Sequence, residues 1–333
     1  MKKDYINICV SSNDLGKRID VVISKKIISL SRNRIKSLII EKNVSFNDEL
    51  ITEQAHKLKD IGIIIISIPE PKKSYIKPEK IELDILYEDK YLIVLDKKPG
   101  IVVHPGAGNK NNTIVNGLLY HCKDRLSDIG GVLRPGIVHR IDKMTSGVLV
   151  IAKNNEIHKE LSDQFKNRTI SKKYICLCWN GMPKNNGTIN ENIARSKYNR
   201  KKMSVCNQYD GKKAITDYKL LDKFILDLNL SINFYECKLH TGRTHQIRVH
   251  FDYMGCPLIG DDLYKKKINL KNIDTEIFEI INKNFIISKR QALHAKSIDF
   301  FHPKKREIIS FESRIPDDFF GLLNILKKNK SQE

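Results

Sequence analysis

Between Asp128 and Glu156 the chain carries a single acid, Asp142, within Gly136-Ile137-Val138-His139-Arg140-Ile141-Asp142-Lys143-Met144-Thr145-Ser146-Gly147. Arg134, His139, Arg140 and Lys143 flank it. Nearby positive charge favours the carboxylate form, which suits this group to act as a nucleophile or electrostatic stabiliser rather than a proton donor. The competing reading of the charge pattern alone is a local ion pair in a loop.

Two further blocks hold candidate chemistry. In Thr241-Gly242-Arg243-Thr244-His245-Gln246-Ile247-Arg248-Val249-His250, the spacing of Ile247, Phe251 and Met254 predicts a helix with Thr244 near its start, stopped by Gly255 and Pro257. Arg243 then sits at the positive end of the helix, where free amides and the dipole both favour an anion. The two histidines lack the intervening Glu of a His-Glu-x-x-His zinc site. Ser171-Lys172-Lys173-Tyr174 opens an apolar run. Tyr174 there either packs into a core or offers a face on which a base taken out of its helix can stack.

The elements that must position these residues follow from hydrophobic periodicity. Helices are predicted over residues 18–28 and 31–41, the second with Ser31 as N-cap, a buried stripe of Ile35, Leu38 and Ile39, and Arg32, Arg34 and Lys36 off that stripe. Strands over 44–46 and 63–68, with a turn at Asn47-Asp48, complete a small unit whose basic helix is either a solvated face or a surface for RNA. Pro69-Glu70-Pro71-Lys72-Lys73-Ser74 reads as a linker. Beyond it, apolar runs at 83–87, 91–96, 148–153, 174–179, 214–220 and 234–239 outnumber helical patterns, of which 156–166 with Ile157, Leu161 and Phe165 is the clearest. The expectation is an α+β fold. A small α/β domain over residues 1–68 and a linker over 69–80 precede a large, mainly antiparallel mixed sheet with flanking helices over 81–326. Residues 327–333, rich in Lys, are expected to be a disordered tail.

Composition bounds the partner. Among 333 residues, 59 Lys and Arg against 39 Asp and Glu leave a formal charge of +20, the balance of a polyanion binder, of which nucleic acid is the commonest. Heavy use of Lys, Ile and Asn assigns part of that excess to coding bias. A membrane surface would require a basic amphipathic helix or a long apolar span, and neither is evident; Met1-Lys2-Lys3-Asp4 precedes no signal-peptide core. A cytoplasmic location is expected. The seven cysteines are odd in number and form no Cys-x-x-Cys pair, so they read as reduced thiols. Cys176 and Cys178 share a strand face without a second pair to complete a zinc site, and no metal is expected.

The Asp142 segment, followed by Val148-Leu149-Val150-Ile151-Ala152-Lys153, resembles the signature of the RluA/RluD family of RNA pseudouridine synthases. The Gly242-to-His250 block resembles a second family signature, Ser171 to Tyr174 resembles its Lys-x-Tyr, and Asn199-Arg200-Lys201-Lys202-Met203, in a basic loop expected between Asn199 and Lys213, resembles its RNA-gripping finger. Val102-Val103-His104-Pro105-Gly106-Ala107-Gly108 with Asn116, and Arg290-Gln291-Ala292-Leu293-His294-Ala295, fit the same family; the glycines read as a plain turn or a phosphate cradle. Arg18-Ile19-Asp20, Ser31-Arg32-x-Arg34-Ile35 and Val44-x-x-Asn47 resemble the alpha-L, S-four-like RNA-binding domain. The combination is most similar to the RluD branch, which acts on large-subunit (23S) ribosomal RNA.

This resemblance implies a cofactor-free isomerase that breaks the uridine N-glycosidic bond, turns the base and rejoins it through carbon to the same ribose. It assigns Asp142 as the catalytic carboxylate, Arg243 as its partner, and Tyr174 as stacking platform and candidate base for the last proton removal. His139, Arg140, Thr145, Lys172, Arg200, Lys201, Arg32 and Arg34 are the expected RNA contacts. The partner is ribosomal RNA or a pre-ribosomal large subunit, met by a monomer. The alternative is a ribosome-assembly factor of the same fold that binds RNA without modifying it. Met144 departs from the family pattern, which has Asp at that position, and loses a side-chain acceptor in the loop.

Overall fold

Ile35, Leu38 and Ile39, the stripe expected on the second helix, are completely buried in a computed structural model of the protein. The structure describes residues 4–330 apart from 28–29, 31, 70–75, 107, 124–125, 130–133, 208, 265–267, 269 and 271–272. The expected cap Ser31 and residues 70–75 of the expected linker lie outside the described residues. The chain divides into two units, Met1–Lys73 and Ser74–Glu333.

In the first unit, β1 (Asp4–Val10), α1 (Ile19–Lys26), α2 (Arg32–Ile40), β2 (Val44–Phe46), β3 (Glu49–Leu50) and β4 (Gly62–Ile68) follow one another. The strands form an antiparallel sheet in the order β1-β4-β2-β3. Val22, Ile23, Ile35 and Leu38 of the helices share one core with Ile64 and Ile66 of β4. Asn47 and Asp48 both take positive φ, as a two-residue hairpin turn requires. Strand β1 went unpredicted, although Ile8 and Val10 alternate inward with exposed Tyr5, Asn7 and Cys9.

The second unit continues with β5 (Ile85–Glu88), β6 (Leu92–Lys97), α3 (Ile114–Cys122), β7 (Ser146–Ala152), α4 (Asn155–Asn167), β8 (Ser171–Trp179), β9 (Asn186–Arg195) and β10 (Met203–Cys206). It closes with β11 (Lys212–Asp227), β12 (Leu230–Leu239), α5 (Gln246–Tyr253), α6 (Thr275–Ile281), β13 (Leu293–Phe301), β14 (Ile308–Glu312) and α7 (Asp317–Lys330). Among the described residues the strands form a ten-stranded sheet, ordered β10-β9-β11-β12-β8-β13-β7-β6-β5, with β14 branching from β13. The β7–β13 pair is parallel and its neighbours are antiparallel, giving the mainly antiparallel mixed sheet that the sequence predicts.

Both faces of the central strands are covered. Tyr174, Cys176 and Cys178 of β8 join Val115 and Leu118 of α3 and Ile247 and Phe251 of α5 on one face. Ile175, Leu177 and Trp179 join Ile277 of α6 and Phe319 and Leu322 of α7 on the other. Helix α4 buries Ile157 and Leu161 against Val148 and Val150 of β7, as its spacing predicts.

The disordered tail is corrected in part. Phe319, Leu322, Leu323 and Leu326 make a buried stripe that carries α7 through to Lys330, and Lys327, Lys328 and Lys330 in its last turn suit the negative end of the helix dipole. Lys330 Nζ lies 2.6 Å from Asp222 Oδ1. Residues 331–333 lie outside the described residues.

Candidate active site

Asp142 lies just before β7, where that strand meets β13 in parallel, His294 beside Ser146 and Ala295 beside Gly147. Gly147 permits the approach: a Cβ there would fall 2.2 Å from the Ala295 carbonyl oxygen, at a φ of +110°. The loop is tied down on both sides. Arg290 Nη1 donates to the Met144 carbonyl (2.7 Å), Arg290 Nη2 to Ser146 Oγ (3.0 Å), and Gln291 Nε2 to Thr145 Oγ1 (2.9 Å). Asp318 of α7 holds the other edge of the Arg290 guanidinium.

Lys97, at the end of β6, completes the anchorage. It is only 1% exposed, and its Nζ donates to the carbonyls of Lys98 (2.8 Å), Ile101 (3.1 Å) and Lys143 (3.1 Å). Burial, then the charge of Arg290, pulls its pKa down to about 7, while Asp142 pushes the other way. Three carbonyl acceptors call for three N–H donors, which only the ammonium form has. Met144 takes part through its backbone, so the loop is ordered here without a side-chain acceptor at that position.

Helix α5 begins later than its sequence spacing suggests, capped by His245 in the left-handed region at φ +58°. Arg243 is therefore two residues upstream of the cap and outside the helix. Its Nε donates to the Lys213 carbonyl at 3.0 Å, and the expected pairing with Asp142 is not found. Arg248, in the first turn, is the partner instead: Nη1 donates to Asp142 Oδ2 at 2.9 Å. The other side of that guanidinium is held by Asp261, through Nε to Oδ2 at 2.7 Å and Nη2 to Oδ1 at 2.9 Å. Asp261 raises the Arg248 pKa further above its ordinary value, against the opposing effect of burial. Gln246 pins the preceding turn, accepting from Thr241 Oγ1 (2.7 Å) and the Arg243 amide (3.0 Å) and donating to Ile215 and Thr216 of β11.

His245 approaches the carboxylate from another side, Nε2 lying 3.8 Å from Asp142 Oδ2. Burial lowers its pKa, so the ring is neutral at neutral pH. The Tyr264 hydroxyl accepts from the Met203 amide (2.8 Å) and lies 3.0 Å from His245 Nδ1, which holds the ring edge-on to Asp142.

These groups open onto a cavity of about 470 Å³. Asp142 is the only acid among the described residues that line it, against Arg140, Lys166, Arg168, Lys172, Arg243 and Arg248. Tyr174 lines the cavity at 9% exposure. Burial, with the charge of Asp142 second, pushes its phenol well above the ordinary range. It is thus a protonated ring at neutral pH, suited to stacking; action as a base requires it first to give up its own proton. Burial draws the Lys172 amine down to about 8.

Two expected RNA contacts serve the scaffold. His139 Nε2 accepts from the Val150 amide at 2.9 Å and its ring stacks on Phe165 at 4.6 Å. Burial, then Lys172, holds it down at about 3, so it gives the cavity a neutral wall rather than a charge. Thr145 is buried, its amide closing onto the Asp142 carbonyl at 3.1 Å. Arg140 is exposed at the rim. The basic loop expected over residues 199–213 is interrupted by β10, which leaves exposed Arg200 and Lys201 at the tip of the β9–β10 hairpin. Arg34 is half-buried on α2, which Arg32 opens, in the first unit. Gly106 and Asn109 exchange paired backbone bonds of 2.9 and 3.1 Å. Arg248, Asp261, Lys97 and the clamp by Arg290 are the site residues that sequence reasoning missed.

A lone carboxylate, held by one guanidinium at the edge of a cation-lined cavity with a stacking ring in its wall, can act on an electron-poor sugar or base of a polyanion. Residues 91–253 match the family model described as RNA pseudouridylate synthase. The chain is 39% identical over 321 residues to the ribosomal large subunit pseudouridine synthase D of Zymomonas mobilis, covering 95% of this chain and 96% of that protein. It is 38% identical over 326 residues to the RNA pseudouridine synthase YlyB of Bacillus subtilis, covering 98% and 99%. Among solved structures, the human RNA pseudouridylate synthase domain containing 4 shares the fold at a TM-score of 0.56 and 24% identity, over 73% of this chain and 93% of that one.

Proposed function

The chain belongs to the RNA pseudouridine synthase family, and from that premise we propose that it isomerises uridines of large-subunit ribosomal RNA with Asp142 as the catalytic carboxylate. The ribosomal target is supported by the names of its relatives and by the net charge of +20. The observation that carries the site assignment is the single Asp142 carboxylate, bonded to Arg248, in a cavity whose other charged lining residues, among those described, are all cations and whose wall includes Tyr174.

The reaction is an isomerisation. The bond from ribose to the base nitrogen breaks, a bond from the same ribose to a ring carbon forms, that carbon loses a proton and the freed nitrogen gains one. No atom enters or leaves overall, and no co-reactant is needed. Asp142 acts at the ribose or the base, with Arg248 fixing its orientation and charge and Tyr174 giving the detached ring a face against which to turn. The cations of the rim meet the flanking phosphates, and the Arg200–Lys201 hairpin tip extends that contact. The first unit, with Arg34 on α2, serves as an RNA-binding domain working in the cytoplasm on ribosomal RNA.

Asp142→Asn tests this. Single-turnover conversion of ribosomal RNA fragments should be abolished, while the melting temperature and RNA affinity stay close to those of the unaltered protein. Conversion at the normal rate in this variant would remove Asp142 from the chemistry. A wild-type protein that binds these fragments but converts none would favour an assembly factor.

A further inference from the structure

Arg140, Asp142, His245 and Arg248 line a second cavity as well, of about 500 Å³, within the size range of nucleotide-sized sites. Its remaining wall comes from the segment after β6, the loop around Lys143, Asp262 and Leu263 after α5, and the segment before β13. The charge in it favours an anion. Arg140, Lys143, Arg248 and Lys289 face Asp142, Asp262 and, behind Arg248, Asp261, which leaves one positive charge in excess on the side of Arg140 and Lys143.

His104 is the informative residue in this wall. It is 6% exposed, and its Nδ1 is buried without a hydrogen-bond partner. A buried polar atom left unpaired costs about 1–3 kcal/mol, and the broad terminal torsion of an imidazole lets the ring turn to present it. Burial, followed by Arg134 and Arg140, holds the ring down at about 4. It is therefore neutral at neutral pH, with one donor and one acceptor, which fits the edge of a base better than a phosphate.

We propose that this second cavity takes the nucleotide adjoining the target uridine on the same strand, with His104 reading the edge of its base and Arg140 and Lys143 meeting its phosphate. Asp142 borders both cavities, so a strand that delivers uridine to one carries a neighbouring nucleotide to the other. The inference rests on the pseudouridine synthase reading of the first cavity. It makes His104 a specificity residue: an unpaired imidazole tolerates an absent base but favours one that completes its hydrogen bonds.

The test uses a ribosomal RNA fragment that the full-length wild-type protein converts, in which the nucleotides on either side of the uridine are replaced, one at a time, by abasic residues. At one of these positions kcat/KM should fall roughly ten-fold or more, mainly through KM, as expected for one lost base-edge contact. His104→Phe, which keeps a buried ring and removes its nitrogens, should show the same loss on intact RNA and no further loss on the abasic RNA. Additive losses would overturn the assignment of His104. Unchanged kcat/KM at both abasic positions with the wild-type protein would overturn the cavity's role without depending on any variant folding. Conversion of no fragment would instead overturn the enzyme reading, and this inference with it.

Discussion

Replacing Arg248 separates the two arginines of the Gly242-to-His250 block. The Arg248 side chain is 9% exposed, Asp261 is at 0% and Asp142 at 17%, and one guanidinium bonds both carboxylates. Arg248→Leu leaves Asp261 as a buried charge without a counterion, a loss of about 3–5 kcal/mol. For a unit of this size that corresponds to a melting temperature lower by roughly 6–20 °C. Arg248→Leu combined with Asp261→Leu removes the stranded charge and should recover most of that stability. Conversion should stay abolished in both, because Asp142 has lost the group that orients it. Arg243→Ala removes one bond to a backbone carbonyl from a half-buried side chain, so it should cost about 1 kcal/mol or less and act through KM for RNA. Calorimetric melting and single-turnover conversion on the same four proteins decide the matter. Normal melting and turnover in Arg248→Leu, with inactivation in Arg243→Ala, would refute the pairing of Asp142 with Arg248.

Two more outcomes follow from the same geometry. Lys97→Met leaves three loop carbonyls without their donor and should lower both stability and conversion, measured by denaturant unfolding and single turnover; an active protein with unchanged stability would show that the Asp142 loop holds itself. Lys172 titrates near pH 8, so its charge is present below that pH and lost above it; RNA affinity should weaken as pH rises through 8, and Lys172→Gln should remove that component in binding titrations. The same pH dependence in Lys172→Gln would assign it elsewhere.

Much of the site could be read in the chain because its signals are local. The run after Gly147 announces β7, the Ile157–Leu161–Phe165 spacing announces α4, and Asp142 is as solitary in the cavity as in the sequence. What escaped is long-range. Residues 146 and 294 become neighbours through a parallel pairing that no periodicity encodes, and with it comes the clamp of Arg290 on the Asp142 loop. Helix α3 has a readable start, since Thr113 and Asn116 form a reciprocal cap.

The choice of arginine shows why register matters more than composition. A helix starting near Thr244 makes Arg243 the residue at its positive end; starting at Gln246 it makes Arg248 part of the first turn and leaves Arg243 outside. Every residue from Gln246 to Phe251 is buried, a helix enclosed on all sides, and an arginine there cannot be left without carboxylates. Asp261, thirteen residues on from Arg248, supplies one of them and leaves an edge of the same guanidinium for Asp142. Asp142 is thereby tied to a structural acid through a shared cation, so disturbing Asp261 should misplace Asp142 without touching it.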